Sequence, residues 1–412
     1  MSFRVALLFA LALVVAACTG PSAVTTTEGP LTTAGNEEPE KPEKPTVASG
    51  ELVILDGKGD IVITNPNGTD RRTITANAGD NASYFQPVWS PDSTYIAWGQ
   101  TEAGRFAVGY QGVDEDEPTV VPMVNRPFYL YWASDGESIG ALHSGAAGLD
   151  LELVDVASGT SSILDSGAPF YFSWNPSGDR MVTHVGADRF ETITTDGDRS
   201  TAGTTSADYF APQWIDNGIL HVAGSALVLE TPEGSRSEVV RVRGFTAFVA
   251  NSGGTRAAVQ SIRIEEAVSY PGTLREVEIE TVPSNRLVVV DIETGEFEVV
   301  NEAPAVGFFW SPNGESLLIF APASSGDALV ALVWTAGGGM KEYGTFVPPD
   351  SVARELLPFF SQYAQSMSFW SPNSAAFAYP SIVDGRSAIW VQQLDQEDPE
   401  RVSAGSWVSW SR

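Results

Sequence analysis

The sequence predicts an all-β protein, a β-propeller built from four-stranded blades, on two observations. A Trp-initiated turn motif recurs through residues 51–412, and each copy is flanked by short apolar runs of strand length. The copies are Trp89-Ser90-Pro91-Asp92-Ser93, Trp132-Ala133-Ser134-Asp135-Gly136, Trp174-Asn175-Pro176-Ser177-Gly178, Trp214-Ile215-Asp216-Asn217-Gly218, Trp310-Ser311-Pro312-Asn313-Gly314 and Trp370-Ser371-Pro372-Asn373-Ser374. Ala250-Asn251-Ser252-Gly253-Gly254 is a degenerate copy, and Trp410-Ser411 begins another. From Trp89 to Trp370 the successive starts lie 43, 42, 40, 36, 60 and 60 residues apart.

Each motif reads as a type I turn, with Pro at its second position and Asp or Asn and then Gly or Ser after it. Phe85 to Trp89 before the turn and Tyr95 to Trp98 after it make the first two strands of a blade. A third strand follows, as in Leu151 to Asp155 or Leu287 to Asp291, and closes in a Gly turn such as Thr294-Gly295. A fourth strand leads to the next Trp. Four antiparallel strands in about 40 residues is one blade. The run Glu51 to Leu55 reads as a second strand and Ser406 to Trp410 as a first strand, so the two ends complete one blade together. Eight motifs imply eight blades, or seven if Ala250 belongs to an insertion.

Residues 1–17 precede the repeats with a charged start and an apolar run from Val5 to Ala17. That run is too short to span a bilayer and reads as a secretory signal. Val15-Ala16-Ala17-Cys18 resembles the lipobox of bacterial lipoproteins, and Cys18 is the chain's one cysteine, which implies lipidation there. Residues 18–50, rich in Thr, Pro and Glu, read as a disordered linker that holds residues 51–412 off a membrane. The expected location is the outer face of the cytoplasmic membrane, or the periplasmic side of the envelope in a two-membrane host.

Charge narrows the partners. Of 412 residues, 52 are Asp or Glu and 23 Lys or Arg, a net charge of −29. So acidic a surface excludes nucleic acid and polybasic docking on anionic lipid, leaving membrane contact to the lipid anchor. One cysteine rules out an internal disulfide.

The Pro87-Val88-Trp89-Ser90-Pro91-Asp92-Ser93 to Trp98 stretch, with the Trp310 and Trp370 copies, resembles the repeat of TolB-type propellers, which also occurs in the propeller domains of prolyl-oligopeptidase-like peptidases. The resemblance covers residues 51–412 and implies the fold. The TolB likeness favours protein partners. The Gly-x-Ser-x-Gly match at Gly136-Glu137-Ser138-Ile139-Gly140 closes a Trp-turn motif and runs into a strand, where a nucleophile elbow would open a helix, so it gives a hydrolase triad no seat.

Few residues hint at chemistry. His143, His184 and His221 fall near the ends of second strands in three consecutive blades. They are metal-site candidates, set against a role as flat side chains packed between blades. Asp114-Glu115-Asp116-Glu117 and Asp56 to Asp60 lack the spacing of a calcium loop and read as solvated turns. Catalytic residues and cofactors are expected to be none. Two insertions lengthen the repeat. Ser261 to Ser284 reads as a projecting hairpin around Tyr270-Pro271-Gly272-Thr273. Pro348 to Ser366 places Val352, Leu356, Phe359 and Tyr363 at helical spacing, split or kinked at Pro358. Both lie in loops that share one face of the ring. That face is expected to point away from the membrane and to carry a partner site at Phe359, Phe360 and Tyr363, unless the insertion only plugs the ring. The expected function is a tethered binding or scaffolding module for envelope proteins, peptides or glycans. The alternative is a propeller enzyme, a polysaccharide lyase or glycosidase, working at the mouth of the ring.

Overall fold

A computed structural model describes residues 47–79, 81–203, 210–232, 234–262 and 281–412. The signal, Cys18, most of the linker and the Tyr270–Thr273 hairpin tip lie outside these residues. No helix among the described residues is long and apolar enough to cross a membrane.

The turn motif shows why the sequence repeats. Ser90 Oγ accepts from Tyr95 N at 2.9 Å and donates to Asp92 Oδ1 at 2.6 Å. Ser311 repeats both bonds with Ser316 N and Asn313 Oδ1, as does Ser371 with Ala376 N and Asn373 Oδ1. The fifth motif position is left-handed, at φ +77° in Gly136, +70° in Gly314 and +61° in Ser93. Only Gly takes that conformation without a steric cost, hence the recurring Gly.

Each hairpin so closed is extended outward by two more antiparallel strands. Ala82–Trp89, Tyr95–Glu102, Arg105–Gly112 and Thr119–Met123 form one four-stranded sheet in sequence order. Five more such sheets begin at Pro127, Phe170, Gln213, Phe245 and Gly307.

The seventh sheet has six strands. Glu400–Trp410 is a single 11-residue strand whose first half pairs with Arg386–Gln393 and whose second half pairs with Leu52–Asp56. Leu52 lies opposite Trp410 and Ile54 opposite Val408, so the two ends of the fold share a sheet as expected. Counted as sheets among the described residues, the ring has seven blades, the smaller of the two expected numbers. The expectation of eight is corrected because no loop interrupts residues 400–410, and the Trp410 motif therefore joins a shared sheet instead of opening its own. Ala250 is not the cause. It ends Phe245–Ala250, the first strand of a regular four-stranded sheet.

The motif Trp residues tie blade to blade. Trp174 Nε1 donates to Tyr131 O at 3.2 Å, Trp310 Nε1 to Val249 O at 2.8 Å and Trp370 Nε1 to Phe309 O at 3.0 Å, each across to the preceding first strand. Trp407 closes the circle on Pro87 O at 3.1 Å. Where the degenerate copy puts Ala250 in place of Trp, Gln213 bridges instead. Its Nε2 donates to Phe248 O at 3.0 Å and its Oε1 accepts from Ala250 N at 2.7 Å.

Candidate functional site

Antiparallel alternation puts the second-to-third and fourth-to-first connections on one face of the ring and the Trp turns on the other. Val47 and Ser49 bond to Asn373 of a Trp turn, so the chain enters on the Trp-turn face.

The insertion after Phe346 enters the ring. It runs as a π turn, Ser351–Leu356, a 3-10 turn, Leu357–Phe359, and helix α1, Phe360–Ser366, with the break at Pro358. The wider π turn shifts the expected register. Val352, Leu356, Leu357, Phe360 and Tyr363 face inward into the main core, whereas Phe359 is 45% exposed. Phe360 packs edge-on against Phe308 at 4.6 Å and Tyr363 against Tyr129 at 4.9 Å.

Gln362 locks this plug to the inner strands. Its Oε1 accepts from Phe172 N at 3.1 Å and its Nε2 donates to Phe172 O at 2.6 Å, so the side-chain amide stands in for a peptide group along an inner strand edge. Tyr129 Oη also donates to Gln362 O at 3.0 Å. Gln86 Nε2 donates to Tyr363 Oη at 2.7 Å, and Tyr363 Oη donates to Phe128 O at 3.1 Å. Burial drives the Tyr363 phenol well above its usual pKa, so it stays a donor at any physiological pH. Of the three expected partner-site residues, Phe360 and Tyr363 are thus consumed in packing, and Phe359 alone meets solvent.

Beside the plug lies an open apolar cavity of about 430 Å³. The first strands at Ala82, Pro127 and Phe170 supply Phe85, Phe128 and Phe170, the next strands out supply Leu142 and Leu149, and the plug supplies Phe359. Phe85 lies against the bare Cα of Gly99, where any Cβ would collide with its ring. Gln86, beside it, is left-handed at φ +50°, at a register break in its strand. Arg126 stands at the mouth with its guanidinium carbon 4.1 Å from the Phe85 ring centre. Sequence reasoning missed this wall, because its residues come from three blades. The visible signal was Val124-Asn125-Arg126, a loop with a cation beside an exposed apolar residue in a strongly acidic chain.

The histidines are fully buried, His143 in its own sheet and His184 and His221 in one aromatic cluster. His143 Nε2 is 2.9 Å from Glu152 Oε2 of its own sheet. His221 Nε2 is 3.2 Å from Glu230 Oε2. His184 stacks on Phe210 at 4.3 Å, and His221 packs on Phe190 at 4.6 Å, an aromatic cluster between two blades. Burial pulls both of these imidazoles below their usual pKa. Among the described residues no three His, Cys, Asp or Glu are grouped to hold a metal. In the acidic turns, Asp56 Oδ1 accepts from Lys58 N and Asp60 N of its own turn, and Glu115 Oε2 accepts from Gly112 N.

No family model matches the sequence, and neither does any curated protein. The chain is similar in structure to an oligogalacturonate lyase in complex with manganese, at 13% identity over 85% of this chain and 99% of that one, with a TM-score of 0.51. It is similar to a prolyl endopeptidase at 11% identity over 80% of this chain and 50% of that one, TM-score 0.53. TolB from Acinetobacter baumannii aligns at 15% identity over 72% of this chain and 63% of that one, with a TM-score of 0.40, too loose to argue from. At such identities the likeness shows the fold, a β-propeller, and nothing of the activity.

Proposed function

We propose that the chain is an exported propeller anchored through Cys18, and that it acts as a binding module whose site is the cavity beside Phe359. The open apolar cavity carries this reading: three inner strands and the plug leave about 430 Å³ uncovered. Ligand sites are concave, mostly apolar and of roughly 300–1,000 Å³. Exposed Phe359 lines it and exposed Val124 lies two residues from Arg126 at its mouth, as expected of a surface that meets an envelope protein, peptide or glycan. The lyase or glycosidase alternative drew on histidines at the mouth of the ring, and these are buried between strands instead.

Two experiments test the proposal. Cys18→Ala should leave the precursor unprocessed or release the protein from membranes; a variant anchored and processed like the wild type overturns the anchor. A photo-crosslinking residue at Phe359 should capture a discrete adduct in the native host, and the same residue at Asp196, on the Trp-turn face, should not. Equal labelling from both positions, or none from either, removes the site.

A further inference from the structure

The binding reading leaves the ligand open, and the chemistry at the cavity mouth narrows it. Phe85, Phe128, Leu142, Phe170 and Phe359 make a cup that favours one large apolar group. Arg126 is exposed at the rim and stacked on Phe85. Among the described residues no carboxylate pairs with it, whereas its neighbour Arg354 is held by Asp350 at 3.3 Å. In a chain of net charge −29, an arginine laid on an aromatic ring without an acidic partner presents a free N–H fork to an incoming anion. Glu355 lines the same mouth. It repels a second negative charge, which disfavours phosphates and dicarboxylates, and it can accept an N–H. Outside the mouth the apolar surface continues over Val124, which is 75% exposed, so more than one residue of a chain has a surface to lie on.

Resting on the binding reading above, we propose that the cavity takes the carboxyl-terminal residue of a polypeptide, its apolar side chain in the cup and its carboxylate on Arg126. The residues before it run over Val124.

Isothermal titration of the folded propeller with acetyl-Gly-Val-Phe as the free acid, the same peptide as its amide, and decanoate tests this. The acid should bind about tenfold more tightly than the amide, the scale of one charge-assisted contact. Arg126→Gln should erase that preference, so that acid and amide bind alike, a result that a merely structural arginine would not give. Val124→Asp should weaken the peptide and not decanoate. Equal affinity for acid and amide overturns the role of Arg126. Decanoate binding as tightly as the peptide overturns the polypeptide assignment. A neutral naphthalene dye distinguishes the two levels of failure: dye bound in the cavity with no peptide bound sinks this inference alone, and neither bound sinks the binding reading beneath it.

Discussion

A buried histidine answers to two demands, packing and charge, and His184 separates them. Its ring is stacked on Phe210 and its Nδ1 lies 3.1 Å from Phe210 O, so the neutral form fits the gap between blades. Burial is the main cause of its lowered pKa, and the bond to Phe210 only partly offsets it. His221 is lowered for the same first reason, with Glu230 working against it. A folded pKa below the unfolded value means that the unfolded chain binds more protons, so stability is complete above about 6.5 and falls as pH drops below it. Asp165 titrates elsewhere. Burial opposes its ionisation, but hydrogen bonds from Arg199 and Arg189 win and lower its pKa, so its contribution is lost only below the ordinary Asp value of 3.8. Between pH of about 6.5 and about 5 the histidines therefore dominate. The melting temperature should fall across that window, and His184→Phe, which keeps the flat ring and removes the titration, should flatten the fall. An unchanged pH profile in His184→Phe would show that its burial is not the cause.

At the scale of elements, the plug decides what the insertion can do. Val352, Leu356, Leu357, Phe360 and Tyr363 are all buried against the inner strands. At about 1.5–3 kcal/mol for each large apolar side chain, they contribute on the order of 10 kcal/mol, comparable with the roughly 5–15 kcal/mol that holds a folded domain together. Replacing residues 350–366 with a short Gly linker should therefore destroy the cooperative melt, read by circular dichroism. A truncated protein that melts like the wild type would make the insertion a detachable surface element. The same element shows how far the sequence was legible. The blades could be read because each rests on local chemistry: a capped turn, a left-handed Gly or Ser and strands of matching length. The insertion could be placed by its excess length and by Pro358. Its buried face could not, because helical spacing assumes an unbroken α-helix and the π turn moves Phe359 outward and Phe360 inward. The cavity was illegible for a different reason. Phe85, Phe128 and Phe170 belong to three consecutive blades, more than 40 residues apart in pairs, and only the packing of blade on blade brings them together.

Across the whole molecule, the alternation of strands sorts charge as well as loops. The described Trp-turn face carries Asp92, Asp135, Asp179 and Asp196, together with the runs Asp114 to Glu117 and Asp395 to Asp398, with Lys341 and Arg412 among the cations beside them. The insertion face mixes Arg126, Arg243, Arg286 and Arg354 with its acids. The chain enters the fold on the Trp-turn face. The same sorting stores self-repulsion, because acids on neighbouring turns are crowded on one side of the ring. Screening reaches about 30 Å at 0.01 M salt and about 10 Å at 0.1 M, so repulsion between neighbouring turns acts at the lower concentration and is largely quenched at the higher. The melting temperature should rise as sodium chloride goes from about 10 mM to about 150 mM. Replacing Asp395, Glu397 and Asp398 by Asn, Gln and Asn should raise the low-salt value and leave less for added salt to gain. Lys341 Nζ bonds to the carbonyl of Leu394 and to none of these carboxylates in any described ion pair, so the substitution removes repulsion without breaking a salt bridge. A melting temperature insensitive to salt in the wild type would mean that the turns hold their charges too far apart to interact, and that the acidity of this face acts on partners and surfaces outside the molecule instead of on the fold.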